Sequence, residues 1–488
     1  MNDVALEGRL HPLAVLVIAR RFVGVSMIPA LVIFLSAGAR VIVPAVLLAF
    51  LVGVPLAILS WWRFRYRVGG GRLELHSGVV SRSVRTIPLE RVRGIDVTEP
   101  FLHRLLGLVR VEVEAAAGGG ESAELSLAAV SRAQADELRE ALLGSARAAG
   151  EESTEPPPLY RASPRLLALG GITSLSYLLA PAAILGVVFN LADDLPGRFV
   201  ERAAETAADR FPTDAVGLVL VGAAVAALVL AAAAAGSLLV DWEFTLRDEG
   251  ERLAASRGLF TRRLVNLDRS RIRGLDVRDT LLRRPLRLAA VTAIAAGVRG
   301  RSGGTLLAPV IRAGGLPGLL RAVDPLAPDP GAPLAPHPPA ARSRRFVRAL
   351  ALPLAGLVVA AALGAWWGVA LALVALAPAS LLALDRYRQL GHAFDGRRLS
   401  LREGSLRRRR SALDPDAAVS FELRTSPGQR RAGVATLTVH LGQGAGSRRA
   451  LDLGEEQAAE LVRRLRPQLF EPFLASETSA TPQLGSWP

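Results

Sequence analysis

The 488-residue sequence contains no cysteine. Disulfides, thiolate metal sites and cysteine nucleophiles are therefore excluded. It contains no lysine either, all 59 basic residues being arginine, and this removes Schiff-base chemistry and the lysine of a P-loop. Only six histidines occur, and His76, His103, His392 and His440 fall in different segments without metal-ligand spacing. No GxSxG, HExxH or Walker pattern is present. Asp414 and Asp416 flank Pro415 in a turn with nothing apolar around them to shift a proton affinity. The glycine-rich stretch from Gly442 to Gly446 follows alternating-sheet residues and opens no phosphate-binding helix, so it reads as a hairpin turn. The expectation is a protein that is not an enzyme and carries no cofactor or metal.

What the sequence has instead is apolar length. Hydrophobic residues make up 51% of it and its mean hydropathy is +0.33, more than a soluble core requires. The formal charge of +15 would suit nucleic acid or an anionic membrane surface, and the apolar runs favour the membrane over nucleic acid. A hydrocarbon core of ~30 Å takes about 20 apolar residues per helix. Three pairs of such runs appear, at residues 22–36 and 41–60, at 166–191 and 215–240, and within the uncharged stretch 349–384, which splits near Gly364, Trp366 and Trp367. No cleavage region follows the first run, so it is expected to stay in the mature protein rather than act as a signal peptide.

Arginines flank the pairs: Arg20, Arg21, Arg63, Arg65 and Arg67; Arg161 and Arg165; Arg342, Arg344, Arg345, Arg386 and Arg388. By the positive-inside rule these flanks are cytoplasmic. The N-terminus, the segments after each pair and the C-terminus are then all expected on the cytoplasmic side of a bacterial plasma membrane. The proposed spans hold no ionisable residue of the kind that marks an ion path, so their expected work is anchoring and mutual packing.

The segments between the pairs repeat. Arg91-Val92-Arg93-Gly94-Ile95-Asp96-Val97 recurs 180 residues later as Arg271-Ile272-Arg273-Gly274-Leu275-Asp276-Val277, and the register extends from Phe64 and Phe244 to Leu108 and Leu288 without a gap. A diverged third copy opens near Phe394, its Asp395 to Leu399 and Gly404 matching the first strand and turn, while the Arg-Gly-aliphatic-Asp stretch is gone around residues 418–421. Short strands with glycine turns dominate each copy. After the last strand Ser131-Arg132-Ala133-Gln134 has the form of a capping box, opening a helix with Ala135, Leu138, Ala141 and Leu142 on one face.

The expected fold class is an α+β membrane protein: three transmembrane helical hairpins, six helices in all, each followed by a small pleckstrin-homology-like (PH-like) β-barrel or sandwich with a C-terminal capping helix. The chain divides into an N-terminal segment with hairpin 1 (1–60), PH-like domain 1 (61–150), a linker (151–165), hairpin 2 (166–240), PH-like domain 2 (241–324), a proline-rich linker (325–345), hairpin 3 (346–384), the diverged PH-like domain 3 (385–472) and a disordered tail (473–488). This order, with the glycine-turn strands, Ile95-Asp96-Val97 and Leu102-His103-Arg104-Leu105-Leu106-Gly107-Leu108, resembles the bacterial PH-like membrane proteins of the YdbS/YdbT type. The resemblance implies membrane-bound PH-like modules.

Candidate binding residues are Arg91, Arg93 and Asp96 with their counterparts Arg271, Arg273 and Asp276, because paired guanidiniums suit an anionic headgroup. The stronger expectation is structural, because an aspartate just past a glycine turn most often holds a local backbone or arginine contact that builds the sheet. The run Arg407, Arg408, Arg409 and Arg410 would either lie against anionic lipid, at about 1 kcal/mol per charge, or form a solvated strand edge. The expected role is a membrane-anchored interaction or scaffold protein, with the lipid bilayer and a membrane-protein partner or a second copy of itself as partners. The alternative is a transporter or export component for a hydrophobic or peptide substrate.

Overall fold

The computed structural model describes residues 6–17, 19, 39–78, 83–89, 92–115, 123–143, 157–181, 214–295, 305–442 and 446–467. The chain forms two compact units, residues 1–269 with 308–310 and residues 270–307 with 311–488. In chain order the strands are β1 (Leu6–Gly8), β2 (Arg65–Gly69), β3 (Arg72–Ser77), β4 (Ser83–Pro88), β5 (Val92–Glu99), β6 (Leu108–Ala115), β7 (Ala123–Ser131), β8 (Tyr160–Arg161), β9 (Thr245–Asp248), β10 (Arg252–Arg257), β11 (Arg262–Asp268), β12 (Ile272–Thr280), β13 (Leu288–Ala295) and β14 (Thr305–Arg312). The third copy adds β15 (Gly391–Phe394), β16 (Leu399–Gly404), β17 (Arg407–Leu413), β18 (Ala418–Arg424), β19 (Val434–Leu441) and β20 (Ser447–Gly454).

Each copy is thus an opening trio of strands, a closing trio and a helix. In the first copy the period-two alternation buries Tyr66 and Val68 on β2, Leu73 and Leu75 on β3, and Val111 and Val113 on β6. These side chains meet Leu127 and Ala129 of β7 in one core, which Ala135 and Leu138 of the helix Arg132–Leu143 close from one end. The capping box expected there forms: the Gln134 N–H donates to Ser131 Oγ at 3.2 Å, and the Ser131 N–H donates to Gln134 Oε1 at 3.1 Å. The third copy repeats the plan, with Leu399, Leu401 and Leu413 packed on Leu437, Val439 and Leu453 under Ala458, Leu461 and Leu465 of the helix Glu455–Leu465.

The two trios of one copy do not share a sheet. Within the first unit the order is β7-β6-β5-β11-β10-β9-β8, so the closing trio of copy one continues directly into the opening trio of copy two. The sheet β14-β13-β12-β17-β16-β15 joins copies two and three in the same way. The first joint pairs Glu99 with Arg262, Thr98 with Arg263, Val97 with Leu264 and Asp96 with Val265, all antiparallel. The second runs from Thr280 opposite Arg407 to Gly274 opposite Leu413. Moving Glu99 to Asp279 by the 180-residue repeat, and Arg262 to Arg408 by an offset of 146, converts one register into the other.

Three helices among the described residues are long and apolar enough to cross a membrane: Ala215–Asp241, Pro339–Ala362 and Trp366–Arg388. That is fewer than the six expected. The first run of the first pair lies outside the described residues, and its second run forms the apolar helix Ala39–Arg63, which exposes Leu47, Phe50 and Leu51. The run expected from 166 opens as the helix Pro164–Ile172, which stops at Thr173, whose hydroxyl donates to the Leu169 carbonyl at 2.6 Å; residues 182–213 are outside the described set. The stretch 349–384 is two helices side by side, divided at Gly364, whose φ of +67° suits glycine.

Carboxylates fasten helix ends to strands. Asp241, the last residue of its helix, takes an ion pair from Arg257 of β10 at 2.7 Å. Asp385, in the last turn of the helix Trp366–Arg388, accepts from Ser405 Oγ at 2.6 Å and pairs with Arg408 at 3.3 Å.

Candidate anion-binding site

The arginine run of the third copy lies on β17, and strand alternation sorts it. Arg408 and Arg410 turn one way: Arg408 to Asp385, Arg410 to the carbonyls of Pro330 and Ala332. Arg409 and Ser411 turn the other way, toward Asp276 of β12.

Asp276 is completely buried. The guanidinium of Arg448, on β20, grips it with both prongs: Nε donates to Oδ1 at 3.1 Å and Nη2 to Oδ2 at 2.8 Å. Ser411 Oγ donates to Oδ1 at 2.6 Å, Arg278 Nη2 donates to Oδ2 at 3.0 Å, and Arg409 stands 3.8 Å away. Burial alone would raise the Asp276 carboxyl, but the charge and hydrogen bonds of Arg448, with Ser411 and Arg278, outweigh it and hold the group below its ordinary value. A buried carboxylate this well satisfied is a structural ion cluster. It ties the closing strand of copy two to both trios of copy three.

Behind this cluster opens a cavity of about 310 Å³ lined by Arg278, Arg345, Arg386, Arg407, Arg408 and Arg409, with Glu403 the one carboxylate in its wall. Arg345 comes from the helix Pro339–Ala362 and Arg386 from the end of Trp366–Arg388, so the cavity sits at the foot of the two apolar helices. Several of its arginines are already engaged: Arg345 with Asp452 at 2.9 Å, Arg408 with Asp385, and Arg278 and Arg409 with Asp276. Arg386 and Arg407 are exposed, and neither makes an ion pair among the described residues. Burial pulls Arg409 below the ordinary guanidinium value, and burial likewise raises the Glu403 carboxyl. The site is therefore short of negative charge, with two free guanidiniums at its mouth and fixed ones behind.

A profile for the bacterial PH domain matches residues 20–146, 187–317 and 349–469. The chain belongs to the bacterial PH domain family. Among curated proteins this bacterial PH chain is similar to the UPF0699 transmembrane protein YdbT of Bacillus subtilis (strain 168), at 24% identity over 292 residues, which cover 56% of this chain and 58% of that relative. The similarity thus spans less than two thirds of the relative's length. No solved structure matches the chain.

Within the three bacterial PH copies the candidate residues separate. Asp276 lies in the ion cluster; Arg273, on β12, accepts the Asp414 N–H on its backbone carbonyl; Arg271 ends the short turn Arg269–Arg271. Arg93 and Asp96 occupy the matching positions of β5, and Arg91 lies outside the described residues. Arg407, Arg408 and Arg409 reach the cavity, whereas Arg410 is tied down by Pro330 and Ala332. Sequence reasoning missed Arg278, Arg345, Arg386 and Arg448 as members of these clusters. Arg345 and Arg386 could have been found as helix-flanking arginines that topology brings together, but nothing local marks Arg448.

The third copy also keeps more of the signature than identity suggests. The same bulge falls between Val92 and Gly94, between Ile272 and Gly274, and between Ala418 and Ser420. The offset of 146 then places Phe421-Glu422-Leu423-Arg424 on Leu275-Asp276-Val277-Arg278. The acid survives as Glu422.

Proposed function

We propose that this chain is a non-catalytic, membrane-anchored protein whose PH-like copies gather anionic groups at the cytoplasmic surface of the bilayer, the arginine-lined cavity of the third copy taking a phosphate-bearing headgroup. The observation that carries this reading is the position of that cavity. Its free guanidiniums, Arg386 and Arg407, stand where two apolar helices end, and that is the depth at which lipid headgroups lie. Arginine suits the task because its planar fork engages phosphate oxygens bidentately and remains charged when partly desolvated. A phosphate there would also offset the mutual repulsion of the guanidiniums that burial already disfavours. The arginine flanks of the apolar segments orient the copies toward the cytoplasm by the same rule that orients the helices.

The test is reconstitution of the full chain in nanodiscs of mixed zwitterionic and anionic phospholipid, followed by native mass spectrometry of retained lipid. The parent should hold anionic lipid in preference. Arg386→Glu with Arg407→Glu should abolish that preference while leaving the fold intact, since neither residue holds a buried partner. Undiminished retention of anionic lipid by the folded double variant would overturn the proposal.

A further inference from the structure

Three modules that join in series leave one unmatched edge of each kind. In copies two and three the third strand of the opening trio, β11 or β17, is covered by the preceding copy's β5 or β12. Copy one is the first of the three matched stretches. Its equivalent strand β4 pairs with β3 on one side and takes no strand on the other among the described residues. In copy three, the last of them, β18 pairs with β19 and takes no strand on its other edge among the described residues. Terminal repeats of a modular array ordinarily carry polar caps, and exposed strand edges ordinarily carry devices against pairing. Here the edges expose Val84 at 57%, Val419 at 71% and Leu423 at 50%.

We propose that β18 of one chain adds antiparallel to β4 of a second copy of the same chain, extending between molecules the joint that the chain makes twice within itself. The shared register of the two internal joints dictates the contacts. Carried by the offsets of 180 and 146, it sets Glu422 opposite Arg85, Leu423 opposite Val84 and Arg424 opposite Ser83. The first is an ion pair of opposite charges and the second joins two exposed aliphatic side chains, both favourable directly across an antiparallel pair. Glu422 and Arg85 are both exposed, and Glu422 stands 3.2 Å from His440.

The bulge sets the length of the joint. At the second internal joint Gly274 lies against the Ala412 carbonyl, where a Cβ would overlap it. Copy three has Ser420 at that position. The new joint therefore takes the short form of β5–β11, which ends at Asp96 and leaves Gly94 outside the pairing; Ser420 likewise lies beyond Glu422. Because plug and socket are different surfaces, the contact is heterologous. It propagates into a row or closes into a ring within the membrane plane.

The absence of cysteine makes the test direct. Residues opposite each other on antiparallel strands stand about 4.5–5.5 Å apart, within disulfide reach. Val84→Cys and Leu423→Cys are placed in two separately tagged full-length chains, co-expressed, and oxidised in native membranes. A cross-linked product carrying both tags is expected, and neither variant alone should cross-link to itself. Pairing Val84→Cys with Ser420→Cys should give little product. Arg85→Glu in the Val84→Cys chain should lower the yield about threefold to fivefold, and Glu422→Arg in its partner should restore it. With both variants inserted and as protease-resistant as the parent, absence of the mixed product overturns the proposal. Equal yield from the off-register pair, or self-cross-linking of Leu423→Cys, overturns it too.

Discussion

The joint β5–β11 and the joint β12–β17 follow one register, yet they differ in length and in the residue set opposite the aspartate of the repeated motif. The first holds four residue pairs and sets Asp96 opposite Val265. The second holds seven and sets the equivalent Asp276 opposite Ser411, with the Arg448 fork completing a buried ion cluster. At the end of the shorter ladder Phe101 stands edge-on to Phe260 and Arg104 donates to the Leu259 carbonyl. The polar cluster at Asp276 gives the second joint a specific seat, at the cost of desolvating charges that only a full set of partners can offset.

The largest effect expected from breaking this contrast is that of Asp276→Ala. It strands Arg448 without a counter-charge, and about 3–5 kcal/mol should be lost from the second joint. Hydrogen exchange should show β12 and β17 losing protection while β5 and β11 keep theirs; equal loss in both joints would refute a local role for the cluster.

Next in size is a dependence on pH beside the second joint. His337 is buried, with Nδ1 2.8 Å from the Leu451 carbonyl, and burial lowers it from its usual 6.5 to about 4. Its neutral form is the folded form, so the unfolded chain binds the extra proton between those values. Stability should fall as pH drops from 6.5 toward 4, by about 3 kcal/mol in all. Asp276 acts lower: its depressed carboxyl contributes stability that is complete above the unfolded value of about 4 and lost as pH falls through the folded one. Denaturation of the full chain across this range should show the first slope, and His337→Gln should reduce it without touching the second, the remainder coming from His392, which burial also lowers.

Smaller again is Gly274→Ala, which forces a methyl against the Ala412 carbonyl and should cost about 1–3 kcal/mol. Gly94→Ala should cost less, because Gly94 lies past the last pair of its joint; the same exchange experiment ranks them. The smallest change is Ser411→Val, which gives the second joint the residue type found at Val265. Loss of one hydrogen bond to a carboxylate that keeps its arginines should cost about 1–2 kcal/mol, and a neutral result would assign the seat to Arg448 alone.

Much of each module was legible in the sequence because its signals are local. The capping box at Ser131 and Gln134, the period-two burial around Leu73 and Val111, and the break at Gly364 all depend on near neighbours. The 180-residue repeat identified the first two copies and the family. Strand alternation does not say whose edge a strand will meet, so the joining of trios across copies could not be read from β5 or β11 themselves. For the same reason the Arg-Gly-aliphatic-Asp motif could be read as a sheet-building contact without its partners being named. Its glycine answers to a strand more than a hundred residues away, and its aspartate to Arg448. Of the arginine run, the sequence carried the charge but not the division between faces, which depends on Asp385, Asp276 and Pro330. Glu422 escaped notice because the offset from copy two to copy three shortens to 146 and the glycine beside it is replaced.

The joining of trios also sets an order of events during synthesis. β5 is complete at Glu99, but the strand that covers its edge, β11, begins only at Arg262. At common elongation rates the ribosome needs roughly ten to thirty seconds to make the stretch between them. Throughout that interval the edge of β5 waits for β11 while the apolar helix ending at Asp241 is still being made. A nascent chain stalled there, before Arg262 has emerged, is the species most prone to capture the wrong strand.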